Sequence, residues 1–117
     1  MGKDEILAME PGRELDTLVA EKIFGLEYIE CIGCYIDSNG NEQKIQRHST
    51  GIADAWKIVE KIREKGLNIY IYVEGDNYTV EICDPIKDMS SMLINVKNCN
   101  TAQEAICKAA LLAVMEA

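Results

Sequence analysis

The stretch Arg47-His48-Ser49-Thr50 brings a guanidinium, the chain's single imidazole and two hydroxyls together just ahead of an amphipathic helix. A helix leaves four N–H groups free at its start, at the positive end of its dipole. Arg47 and His48 beside such an end would suit a phosphate or a carboxylate. Gly51 would let the backbone come close to a ligand. The plainer reading is a cap, in which Ser49 or Thr50 accepts one of the free N–H groups. A cap accounts for the hydroxyls and leaves Arg47 and His48 unexplained. The GxxxxGK pattern of a P-loop is missing.

A second candidate surface comes from strand alternation. Tyr70 and Tyr72, with Thr79, Glu81, Asn95 and Lys97, fall on the opposite face from an aliphatic set. Such a face could stack a base or form a subunit contact. It could equally pack beneath a helix, since tyrosine favours strands. Cys31-Ile32-Gly33-Cys34 has the spacing of half a zinc knuckle, but a second ligand pair is lacking. Read as strand residues, these two cysteines would point to opposite faces. No metal, cofactor or catalytic residue is therefore assigned. HExxH, GxSxG and EF-hand patterns are all missing.

The elements that must position these residues follow from periodicity. EPGRELDTLVAEKIFG reads as a helix with Pro11 in its first turn, Leu15, Leu18, Val19 and Ile23 as its apolar stripe, and Gly25 as its stop. Residues 28–37 read as one strand, followed by the turn Asp37-Ser38-Asn39-Gly40 and an edge strand over 42–46. A second helix is expected over about 52–65, burying Ile52, Ala55, Trp56, Val59 and Ile62, with Gly66 ending it. Strands over 67–74 and 78–83 flank a Gly75-Asp76-Asn77 turn, and Asp84-Pro85 opens a loop to about Ser91. A last strand covers 92–97. Thr101 and Glu104 form a capping box for a third helix over 101–116. Its second half, ALLAVM, is apolar nearly all round and must be covered on all sides. In a small protein that favours a homo-oligomer contact through helix 101–116. The expected class is α+β, with three helices and a mostly antiparallel sheet of about four to five strands.

The 117 residues suit a single domain over 1–117, and 48% hydrophobic residues suffice for a core. The net charge of −8 disfavours duplex nucleic acid, which needs clustered cations. A membrane span would need roughly 20 apolar residues, and the longest run, 109–115, is far shorter. A secretory signal is not seen, so the five cysteines are expected to be reduced thiols in a cytoplasm.

Three stretches together carry a resemblance. ILAMEPGRELDTLVAEKIFG, HSTGIADAWKIVEKI and TAQEAICKAALLAVMEA, in that order, resemble the phage ABA-sandwich domain family. The resemblance covers about half the chain and implies an α-β-α sandwich and a bacteriophage origin. The usual form of the central stretch has Tyr-Ser-Thr-Asp before the helix; here His48 and Gly51 replace the tyrosine and the aspartate. The function expected on this basis is a non-enzymatic phage accessory protein in the host bacterial cytoplasm. Its best form is a counter-defence sponge that sequesters a small nucleotide-derived signal in pockets of a homo-oligomer. Arg47, His48, Ser49, Thr50, Tyr70 and Tyr72 are the expected contacts. The alternatives are a protein-protein inhibitor of a host protein and, third, a small enzyme acting on a phosphorylated molecule.

Overall fold

The computed structural model describes residues 2–44, 46–85 and 92–116. Among the described residues there are four helices, α1 (Lys3–Ala8), α2 (Arg13–Lys22), α3 (Ile52–Glu64) and α4 (Ala102–Glu116), and six strands. Strands β1 (Glu27–Ile29), β2 (Cys34–Ile36) and β3 (Glu42–Gln43) form one small antiparallel sheet; β4 (Asn68–Glu74), β5 (Asn77–Cys83) and β6 (Met92–Cys99) form a larger one. The α+β class stands. The strands are divided between two three-stranded sheets instead of one sheet of four to five, and a short α1 joins the three expected helices.

The division comes from the segment expected to be one strand over 28–37. The chain reverses at Glu30–Gly33, so that Ile29 pairs with Cys34 and Tyr28 with Tyr35. Ile29 carbonyl accepts the Gly33 N–H at 2.9 Å, and Gly33 takes φ 68°, which costs glycine little. Aromatic and β-branched residues on both sides of the reversal mimic one continuous strand, and Gly33 was its only interruption. The return strand is also shorter than expected, Glu42–Gln43 instead of 42–46.

α4 is the centre of the molecule. It packs on β5 and β6 on one side and meets α1, α2 and α3 on the others. Ala105 to Ala113 are all buried, Lys108 included. The all-round apolar character is thus satisfied inside one chain, and the argument for an oligomer contact through helix 101–116 loses its premise. Thr101 Oγ1 accepts the Glu104 N–H at 3.2 Å, the expected cap. The Glu104 carboxylate does not complete the box by turning back; it takes the Lys108 ammonium at 2.6 Å. Lys108 also donates to the Leu7 carbonyl at 2.9 Å, fixing α1 to α4.

α3 buries Ala55, Val59 and Ile62 as expected, but its inward face is rotated towards Ile58 and away from Ile52 and Trp56. Ala55, Ile58, Val59 and Ile62 are buried, while Ile52 and Trp56 are 53% and 51% exposed. Apolar residues cover so wide an arc of this helix that two faces fit a 3.6-residue period equally well. A Schellman turn ends it. Gly66 N–H bonds Arg63 carbonyl, Leu67 N–H bonds Ile62 carbonyl, and Gly66 adopts φ 80°. The chain then enters β4 at once. The β4–β5 hairpin closes with Glu74 opposite Asn77, so its turn is Gly75-Asp76 and Asn77 already belongs to β5. Val80, Ile82, Ile94 and Val96 face the helices and are buried. Between Tyr78–Cys99 and Val80–Val96, β6 holds one residue more than β5, a bulge at which Asn98 takes φ 60°. The loop expected after Pro85 lies outside the described residues.

The buried ion pair gives a test of this arrangement. Lys108→Ala leaves Glu104 largely desolvated without its cation and removes the donor to Leu7. Urea denaturation should show a loss of roughly 3–5 kcal/mol. The paired change Lys108→Met with Glu104→Gln should cost clearly less, because no uncompensated charge remains.

Candidate functional site

The segment 47–50 is a turn that precedes α3. Arg47 carbonyl accepts the N–H groups of Thr50 at 3.3 Å and Gly51 at 2.7 Å. The Asp54 carboxylate reaches back to accept the Arg47 N–H at 2.9 Å, a bond that holds the Asp54 carboxyl below the usual carboxylate range. Gly51 is the N-cap of α3, and the helix has no side-chain cap. The expectation that Ser49 or Thr50 caps α3 is thus corrected. A Cβ at position 51 would stand 3.2 Å from the Arg47 carbonyl oxygen, so this tight turn favours the glycine.

Ser49 acts on a different helix. Its hydroxyl donates to Asp16 Oδ1 at 2.6 Å and accepts the Gly12 N–H at 2.9 Å, while its own N–H also reaches Asp16 Oδ1, at 2.8 Å. Gly12 is the N-cap of α2. Ser49 therefore ties the 47–50 turn to the first turn of α2, across 33 residues of sequence. It is only 1% exposed and has no capacity left for a ligand.

His48 turns inward as well. The ring is 1% exposed and stacks on Phe24 with centroids 5.0 Å apart and planes 17° apart. Its Nδ1 is buried with no hydrogen-bond partner. Burial pushes its pKa below the ordinary 6.5, and Lys57 adds to this against the opposing pull of Asp54 and Asp16. A neutral buried imidazole is a poor anion ligand. It lies on the wall of a cleft of about 280 Å³ with Phe24, Leu26, Lys44 and Lys57, whereas Arg47 faces another cleft.

That other cleft is the best-formed convergence of polar groups. It measures about 410 Å³ and lies between the start of α2 and the small sheet. Arg13, Arg47, Tyr28, Tyr35 and Thr50 line it, with Tyr35 only 3% exposed. The backbone at Gly12 and Gly33 completes the wall. Arg13 Nη2 donates to the Tyr28 hydroxyl at 2.8 Å, and its guanidinium carbon lies 5.7 Å from the ring centroid. The two tyrosine rings meet at 5.2 Å, tilted by 59°. Tyr35 is anchored by a 3.0 Å hydrogen bond with Thr17. Asp16, also on the wall, is held by Ser49. A hollow of about 500 Å³ lies further along α2, but Glu14 and Glu21 line it and disfavour an anion.

Of the six residues expected to bind, only Arg47 and Thr50 reach this cleft. Tyr70 and Tyr72 are 45% and 41% exposed on the outer face of the larger sheet. There Tyr72 lines a separate concavity with Glu81, Asn95 and Lys97. That face is not covered by any described helix, so the tyrosines do not pack beneath one. The sequence reading missed Arg13, Tyr28 and Tyr35. Reading Gly33 as a reversal would have placed the two tyrosines opposite each other.

The fold defines a small α+β protein in which antiparallel sheets are packed by helices around a buried terminal helix. Within that class, the sequence profile of the phage ABA sandwich domain matches residues 17–111. The chain belongs to the phage ABA sandwich domain family. It is also similar to a phage protein from Bacillus cereus ATCC 14579 whose crystal structure is known at 2.0 Å. The two are 30% identical with a TM-score of 0.70, over 91% of this chain and 93% of that one. A comparison with curated proteins finds no match. Among the described residues, no helix is long and apolar enough to cross a membrane.

The neutral His48 sets a pH dependence. A histidine whose folded pKa lies below its unfolded value takes up protons on unfolding. Stability is therefore full above about pH 6.5 and falls as pH drops through that value towards the lowered one. Thermal melts of the wild type should lose stability over this range. His48→Phe, which keeps a ring on Phe24, should flatten the dependence. An unchanged slope in the variant would mean that His48 titrates freely.

Proposed function

We propose that this chain is a non-enzymatic phage binding protein whose ligand is a small nucleotide-derived anion, held in the cleft at the start of α2. The observation that carries this reading is the convergence of Arg13 and Arg47 with Tyr28 and Tyr35 on one concave surface. Guanidinium forks pair with phosphate oxygens, and aromatic faces take a base. The first N–H groups of α2 add a positive dipole end. A volume of about 410 Å³ falls at the lower end of small-molecule sites. The Asp16 carboxylate on the wall is taken up by Ser49, which supports sequestration over turnover. The biological role that follows is a counter-defence sponge working in the host bacterial cytoplasm, which lowers the free concentration of a nucleotide signal.

A second reading is an inhibitor of a basic host protein. The net charge of −8 favours it, since charge complementarity steers association. It requires no occupied cleft.

Calorimetry with mononucleotides, cyclic nucleotides and ADP-ribose derivatives separates the two. The sponge reading expects at least one ligand tighter than about 100 µM, near −5.5 kcal/mol. Arg47→Ala should weaken that ligand about tenfold or more, as expected for a charge-assisted contact worth roughly 1.5–3 kcal/mol. Tyr70→Ala should leave affinity unchanged, because Tyr70 lies on the other sheet. Silence across the whole panel leaves the inhibitor reading in place.

A further inference from the structure

Eight large hydrophobic side chains are exposed among the described residues, and five of them lie on two adjoining elements. Ile52 and Trp56 stand on α3; Tyr70, Tyr72 and Val73 stand on β4. Val73 is the barest of the eight at 65%. β4 is also an edge strand, bonded to β5 on one side only. Its outer N–H and C=O groups run for seven residues without an interrupting proline, lysine or bulge. Long apolar edges are normally blunted, because they template pairing with another chain.

The two features form one surface. The Schellman turn at Gly66 sends β4 straight back from the end of α3. Val59 and Arg63 on α3 line a groove of about 400 Å³ with Asn68, Ile69 and Tyr70 on β4. Ile52 and Trp56 lie within about 60° of Val59 around the helix, on the same flank as Arg63. The apolar flank of α3 therefore runs beside the open edge of β4. The Val73 end of the strand lies towards Trp56 and Ile52.

We propose that this surface joins two copies of the chain, with β4 pairing antiparallel to β4 of the second copy about a two-fold axis at Ile71. The strand sequence NIYIYVE is self-complementary in that register. Tyr70 meets Tyr72 of the second copy on the outer face, and Ile69 meets Val73 on the inner face. Cross-strand aromatic and aliphatic pairs of this kind stabilise antiparallel sheets. Sliding the register by two residues either way leaves part of the strand unpaired and sets Tyr70 or Tyr72 opposite itself. The polar ends also match. Asn68 comes opposite Glu74 of the second copy on the outer face, an amide against a carboxylate. No like charges face each other along the strand. The result is a six-stranded antiparallel sheet, flanked on its helical side by two copies of α3 whose Trp56 and Ile52 are covered. An isologous contact closes after two copies and leaves no strand edge at β4.

Sedimentation equilibrium of the full chain tests this. The wild type should sediment at twice the chain mass at roughly 10 µM, within reach of an interface of ordinary size. Val73→Lys and Trp56→Glu are both at exposed positions. Each should weaken dimerisation about tenfold or more, while circular dichroism stays unchanged. The register has its own test. Asn68→Glu, which sets carboxylates opposite each other at both ends of the paired strands, should weaken the dimer, and Asn68→Lys should tighten it. A monomeric wild type overturns the proposal. So does a dimer insensitive to Val73→Lys and Trp56→Glu. The same effect from Asn68→Glu and Asn68→Lys removes the proposed register. None of these readings depends on whether the Arg13–Arg47 cleft binds a ligand.

Discussion

Covering α4 on every side is the constraint from which the rest of the arrangement follows. Nine consecutive positions, Ala105 to Ala113, are buried in it, so no face of that stretch can be left to solvent. The larger sheet takes one side. α1, α2 and α3 must then take the others, and each brings its own apolar residues: Ile6, Leu15 with Val19, and Ile58 with Ile62. Lys108 is the one cation within that stretch. It is tolerated because Glu104 neutralises it and the Leu7 carbonyl accepts a second proton. The polar pair does more than remain satisfied: it fixes where α1 sits on the helix.

With α1 and α2 held against α4, the start of α2 is presented to the 47–50 turn. The Ser49–Asp16 contact locks the two together, so that Arg47, Thr50 and Arg13 line one cleft. The small sheet closes the other wall through Tyr28 and Tyr35. The cleft is thus made by four separate pieces of chain, and two of its walls are tied by the hydroxyl and N–H of one buried serine.

Much of this was legible in the sequence, and the limits have identifiable causes. Gly66 and the Thr101 cap marked element ends correctly, because local backbone chemistry decides them, whereas α2 already ends at its Ile23 C-cap, two residues before Gly25. The inward faces of β5 and β6 followed from strict alternation. Trp56 could not be placed, since the apolar arc of α3 is wide and only tertiary packing chose Ile58 over it. Ser49 was read as a local cap because a serine before a helix has a local explanation. Its true partner, Asp16, is distant in sequence and leaves no periodic signal. The grouping of Arg47 with His48 failed for the same reason. The two are neighbours in sequence, yet the turn sends one side chain to the cleft and the other beneath Phe24.

The bond from Lys108 to the Leu7 carbonyl spans 101 positions of the chain. Its consequence concerns the order of assembly. α3, β4 and β5 follow one another through two tight turns and can meet early, at small loop-closure cost. α1 and α2 meet α4 only after the long intervening stretch has been made and collapsed. Until then α4 presents an uncovered apolar flank. The terminal helices thus form a late-closing clasp, and the nascent chain is most exposed to aggregation in the interval before it shuts.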